Sequence, residues 1–142
     1  MMGVKELKIL SSVIIFMCLC RPTASVYAQE TAYAFTIEQV KGHVFITLST
    51  VSPLPCIGSA IRNRVVWDSD TTVVLLSGFV RPVPCIEGME PASAQIDLGR
   101  DTSNVRYLKI QEDAFTDLWT MLREGESIRV TSVHKTFTSY SH

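Results

Sequence analysis

The chain has 142 residues, with 13 Lys and Arg against 14 Asp and Glu, a formal net charge of −1 and 46% hydrophobic residues. A chain of that length suits one domain with a single core, and the absence of a basic cluster argues against a partner bound through its phosphate backbone.

The N-terminal segment reads as a secretory leader. Lys5 and Lys8 give it a positive start, Ile9 to Cys20 is apolar, and Val26-Tyr27-Ala28 fits the small-x-small rule for cleavage before Gln29. The apolar run spans about a dozen residues, short of the ~20 that cross a bilayer, so a signal peptide at 1–28 is expected rather than an anchor. Cys18 and Cys20 follow Met17 and Leu19, where a lipoprotein signal wants a small side chain, so both are expected to leave with the leader. What remains is a β-rich domain at 29–142, exported to the periplasm or beyond the cell, with ten basic and thirteen acidic residues.

In chain order, Tyr33, Phe35 and Ile37 alternate with Ala34, Thr36 and Glu38, the period of two of a half-buried strand. Lys41-Gly42 interrupts, and Val44, Ile46 and Leu48 resume; a hairpin and one bent strand both fit. Ile61, Asn63, Val65 and Trp67 share a side opposite Arg62 and Arg64. After the turn Asp68-Ser69-Asp70, the nearly unbroken apolar run Thr71 to Val80 predicts a central strand covered on both faces. Glu87 to Ser93 reads as an irregular connection, Ala94 to Leu98 as a short strand closed by Gly99, 101–104 as a polar turn, and Val105 to Ile110 as another strand. Phe115, Leu118, Trp119 and Leu122 fall at i, i+3, i+4 and i+7, which predicts an amphipathic helix from about Glu112 to Arg123, with Asp117 among the acids that favour its first turns. A last strand runs from Glu126 to about Lys135 with Ile128 and Val130 inward, and Thr136 to His142 reads as a frayed end. The expected fold is therefore mainly β with one helix: a small antiparallel sandwich or barrel of about seven strands, the helix preceding the last.

The chain is organised around a doubled element, Ser52-Pro53-Leu54-Pro55-Cys56-Ile57-Gly58 and Arg81-Pro82-Val83-Pro84-Cys85-Ile86-Glu87-Gly88. Prolines one residue apart end a strand in a stiff, extended exit, because each fixes its own φ and donates nothing to a ladder. Cys56 and Cys85 are the two cysteines left in an exported chain, and pairing is the default there. They lie 29 positions apart, and closing a loop of about that size contributes roughly 3.5 kcal/mol in the loop-entropy account.

Pro55-Cys56, Pro84-Cys85, Gln95-Ile96-Asp97-Leu98-Gly99 and Tyr107-Leu108-Lys109-Ile110 together resemble small exported bacterial β-sandwich domains of immunoglobulin-like type, over Phe35 to Ile110. Tyr107 to Val133 is similar to the strand-helix-strand end of secreted OB-fold subunits, which implies an OB-like barrel as the alternative. Neither resemblance brings catalytic residues.

The chemistry is sparse. His43, His134 and His142 have no metal-binding spacing, though His43 and His134 could meet across a sheet. Asp68-Ser69-Asp70 starts like a calcium loop but lacks its glycine and closing glutamate, and Glu87, Glu90, Asp97 and Asp101 could approach one another as an acid pair. No metal or cofactor is expected, and no acyl-transfer, phosphate-cradling or dinucleotide motif is present. The favoured expectation is a non-catalytic binding or assembly module that meets another protein or a cell-envelope component through Pro53, Leu54, Pro55, Ile57, Pro82, Val83, Pro84 and Ile86. The alternatives are a proteinase inhibitor presenting Ser52 to Ser59, a small hydrolase using His43 or His134, and an oligomer paired through edge strands. Intact-mass spectrometry of the mature protein should show a gain of about 2 Da on reduction, one hydrogen for each sulfur of a single cystine.

Overall fold

The computed structural model describes residues 32–100 and 105–142; the signal peptide expected at 1–28 and the polar turn expected at 101–104 lie outside the described residues. Eleven strands make up the described part: β1 Tyr33–Val40, β2 His43–Thr50, β3 Leu54–Ile57, β4 Ala60–Asp68, β5 Thr71–Val80, β6 Ile86–Glu90, β7 Ser93–Arg100, β8 Val105–Glu112, β9 Phe115–Glu124, β10 Ser127–His134 and β11 Thr138–Tyr140. Nine form one sheet in the order β10-β9-β8-β5-β4-β7-β2-β1-β11, while β3 and β6 form a separate two-stranded ribbon. The large sheet curls until β10 lies against β1, giving a nearly closed, barrel-like wall.

Alternation along each strand builds the core. Phe35, Val44, Ile46, Leu48, Ile96, Leu98, Val74, Leu108 and Ile110 point inward and are almost fully buried, each contributing about 1.5–3 kcal/mol. Lys41 (φ 51°) and Gly42 (φ 82°) both adopt left-handed backbone and make the tight β1–β2 hairpin, settling the choice between hairpin and bent strand. Ser69, also in left-handed backbone (φ 52°), and Asp70 make the turn between β4 and β5, where Asp70 accepts from the Thr71 hydroxyl and the Tyr107 N–H. β5 is interior to the sheet, paired with β4 and β8, but only Thr72, Val74 and Leu76 are buried; its other face is half-covered and its end at Phe79 and Val80 is exposed.

The predicted helix at Glu112 to Arg123 is a correction. The segment is the end of β8, a turn with Asp113 in left-handed backbone, and β9. Leu118 and Leu122 face outward and are half-buried, while Asp117, Trp119 and Met121 face inward, so apolar residues on both sides of a strand imitate a helical stripe. Seven strands is likewise too few: β3 and β6 fall where a proline-stiffened exit and a connection are expected, β9 stands in place of the helix, and β11 lies in the expected frayed end.

The tail is held by Asp117. Its carboxylate is fully buried and accepts five hydrogen bonds: to Oδ1 from Thr136 N–H (2.6 Å) and hydroxyl (2.7 Å), and to Oδ2 from Phe137 N–H (3.0 Å), Thr138 N–H (2.7 Å) and Thr138 hydroxyl (2.6 Å). Thr138 Oγ1 also accepts from Trp119 Nε1 at 3.0 Å, so donor and lone pair are both used. Phe137 enters the core edge-on to Tyr33, and β11 runs parallel to β1 with Tyr33 opposite Thr138.

Burial alone would raise the Asp117 pKa, but the Thr138 and Thr136 hydroxyls and the Phe137 and Thr138 N–H groups outweigh it and leave the carboxyl below its ordinary value. A carboxyl whose folded pKa is depressed contributes stability above its unfolded pKa and loses it as pH falls through the folded value. Stability measured by urea titration should therefore decline below about pH 4. Asp117→Ala, which orphans five donors, should remove at least about 3 kcal/mol at neutral pH. A loss within experimental error would contradict the clamp.

Candidate functional site

The ribbon departs from one end of the barrel. Tyr33, Thr50, Ala60, Val80 and Ser93 meet there through the pairings of β1 with β2, β2 with β7, and β4 with both β5 and β7. From this rim the 51–59 segment and the 81–92 segment leave together. Two proline-stiffened excursions starting side by side can pair only with each other, and they do so as β3 and β6, with Leu54 opposite Glu90, Pro55 opposite Met89 and Ile57 opposite Ile86.

Cys56 and Cys85 are bonded, their Cα atoms 5.2 Å apart, and Cys56 takes φ 79° at the irregularity between Pro55 and Ile57. The Val83-Pro84 peptide is cis. Gly88 lies so close to the opposite strand that a Cβ there would sit 2.6 Å from Ile57 Cδ1, and its φ of +151° already favours glycine.

Hydrogen bonds root the ribbon. Gly58 N–H donates to Glu90 Oε2 at 2.8 Å, and the Ser59 hydroxyl, buried, donates to the Cys56 carbonyl at 2.9 Å. Thr50 N–H donates to the Ala92 carbonyl at 2.9 Å, while Ala92 N–H donates to Thr50 Oγ1 at 3.0 Å. Leu54 packs against the core cluster beneath.

The structure brings the sequence-derived surface residues together on this ribbon. Pro53, Pro55, Ile57, Val83, Pro84 and Ile86 are exposed; Leu54 and Pro82 are half-buried. Val83 is 97% exposed and Ile86 60%. Met89, 65% exposed, belongs to the same ribbon and was not among the expected residues, nor was Glu90 as a tether. No sequence signal marks β6, because all five of its residues are exposed and strand periodicity reports burial.

The other candidate groups stay apart. His43 Nδ1 lies 3.1 Å from Asp97 Oδ2 at the opposite end of the barrel. Asp97 is held below the ordinary carboxylate range, first by the Gly99 N–H at 2.7 Å and then by His43. His134 closes β10 beside the Asp117 clamp, near the Tyr33 end of β1, whereas His43 follows Val40 at the other end, about 23 Å along the strand at its usual rise. The two histidines therefore do not meet. His142 stacks edge-on against Tyr140. Glu90 is tied to Gly58, Asp97 to His43, and Asp101 falls outside the described residues. Among the described residues, no group of three or more His, Cys, Asp or Glu could hold a metal ion, and no helix is long and apolar enough to cross a membrane.

No protein-family model matches the chain, and neither a curated protein nor a solved structure shows a significant similarity to it.

Replacing Cys56 and Cys85 together by Ser should lower stability by about 3.5 kcal/mol, because the denatured chain regains the freedom of the closed loop. Limited proteolysis read by mass spectrometry should then place the first cuts within 52–58 and 81–91 while the barrel strands remain uncut; first cuts in β8 or β9 would contradict a separately rooted ribbon.

Proposed function

We infer that the chain is a non-catalytic binding or assembly module, exported to the periplasm or beyond the cell, which engages another protein or an envelope component through the stapled ribbon. One observation carries this reading: Ile57, Val83, Ile86 and Met89 are held in solvent on a frame closed by a cystine and a strand pairing. Exposed apolar side chains gathered in one place mark interaction surfaces more often than scattered ones do. A frame that is already ordered loses little conformational entropy on docking. The flanking exposed residues Val51 and Val80 extend the same apolar surface onto the rim of the barrel.

The inhibitor reading uses the same ribbon, with Ser52 to Ser59 offered to a protease cleft. It is the weaker one because β6 already occupies one edge of β3, leaving only the other for strand addition. The hydrolase reading has the His43–Asp97 pair in its favour, a carboxylate orienting an imidazole. That pair is exposed and joins no nucleophile among the described residues.

Photo-crosslinking in the producing cell tests the preferred reading, with a benzophenone amino acid placed at Val83, at Met89 or, as a control, at Thr131 on β10. Discrete adducts from positions 83 and 89, absent from 131 and lost on adding Ile86→Asp, are expected. Equal adducts from all three positions, or none from the ribbon, would contradict it.

A further inference from the structure

The two halves of the cystine stand in different surroundings. Cys56 is only 6% exposed, and its carbonyl takes the hydrogen bond of the buried Ser59 hydroxyl at 2.9 Å. Leu54, two residues earlier, packs against the core cluster. Cys85 is exposed, and so are its neighbours Val83, Pro84 and Ile86. Its Sγ lies 3.9 Å from the Ile86 carbonyl in a contact that is itself exposed.

That asymmetry decides how the bond can be opened. A thiolate attacks one sulfur of a disulfide and expels the other, so access selects the sulfur that is taken. The attack runs along the S–S axis from the side away from the leaving sulfur. At Cys85 that approach starts in solvent; at Cys56 it starts from the side of a buried residue.

Opening leaves the barrel intact. β3 and β6 pair only with each other, and the nine-stranded sheet keeps its own ladders. The roots of the ribbon, Thr50 with Ala92 and Ser59 with Ser93, lie outside both ribbon strands. Cys56 also sits at φ 79°, where its Cβ crowds the following carbonyl, and a freed Cys56 can leave that left-handed backbone. Exposed or strained disulfides are the ones that exchange readily.

We propose that the cystine is a thiol-exchange site of fixed polarity, opened by a small thiol at Cys85. The thiolate attacks Cys85 Sγ and forms a mixed disulfide there, and Cys56 leaves as a thiolate that takes a proton from water. A second thiolate attacking the added sulfur releases Cys85 and departs as the small disulfide, so two thiols supply the two electrons of full reduction. In the reverse direction, the Cys56 thiolate attacks Cys85 Sγ in the mixed disulfide, expels the small thiol and closes the ribbon again. Cys85 therefore carries the adduct and Cys56 resolves it. The assignment concerns the folded chain and holds whatever the ribbon docks against.

Glutathione is the probe that tests it. The full mature chain, oxidised, is treated with glutathione at about pH 8, near the ordinary thiol pKa. The reaction is quenched with acid at low conversion, free thiols are alkylated with N-ethylmaleimide, and the products are mapped as tryptic peptides. Adducts should form without denaturant, with the far-ultraviolet circular dichroism of the barrel unchanged. Glutathione on Cys85 with maleimide on Cys56 should exceed the reverse arrangement by about tenfold or more. Equal or reversed labelling, or no adduct until urea unfolds the barrel, would overturn the assignment.

Discussion

A buried carboxylate closes this fold. Asp117 faces the core from β9, where an unpartnered charge would be expelled, and it is tolerated only because five donors from Thr136, Phe137 and Thr138 converge on it. The dependence is mutual. Without the carboxylate, the N–H groups of a polar tail would be buried unpaired; without the tail, β9 would carry a naked charge into the barrel. Phe137 and β11 then complete the wall beside β1, and the Phe35–Trp119 contact at 5.0 Å fills the space behind them. On the same side, Tyr33 donates to Glu112 at 2.5 Å, and burial, reinforced by that carboxylate and by Asp113, pushes its phenol well above the ordinary value.

The two ends of the barrel are finished differently. At one rim the chain leaves the sheet twice between prolines and returns twice, and the cystine makes the excursions one rigid ribbon. At the other rim the β1–β2 and β4–β5 hairpins turn back within two residues. The ribbon presents apolar side chains on a stiff frame, suited to a macromolecular surface.

Much of this is legible in the sequence, and two of the failures, β9 and the tail, share Asp117 as their cause. β1, β2, β4, β7 and β8 follow from alternation because one face of each is apolar and the other polar. The cystine follows from two proline-flanked cysteines in a chain with a leader-like start, and both sulfurs lie where the ribbon needs them. β9 was misread because Asp117 interrupts its inward face while Leu118 and Leu122 supply apolar residues on the outward one, so the pattern matches a period of 3.6 better than a period of 2. Thr136 to Tyr140 looked frayed for the complementary reason: hydroxyl-rich residues are buried only where a partner waits, and that partner is nineteen residues earlier in the chain.

Native-state amide hydrogen exchange tests the central claim, that the tail is a structural part of the barrel through Asp117, most directly. The amides of Phe137 and Thr138 should exchange as slowly as those of Ile46 and Leu108 and open with them in a single global event. Exchange at 137 and 138 as fast as at the exposed terminal His142, with the core amides still protected, would show that the tail is not part of the closed sheet.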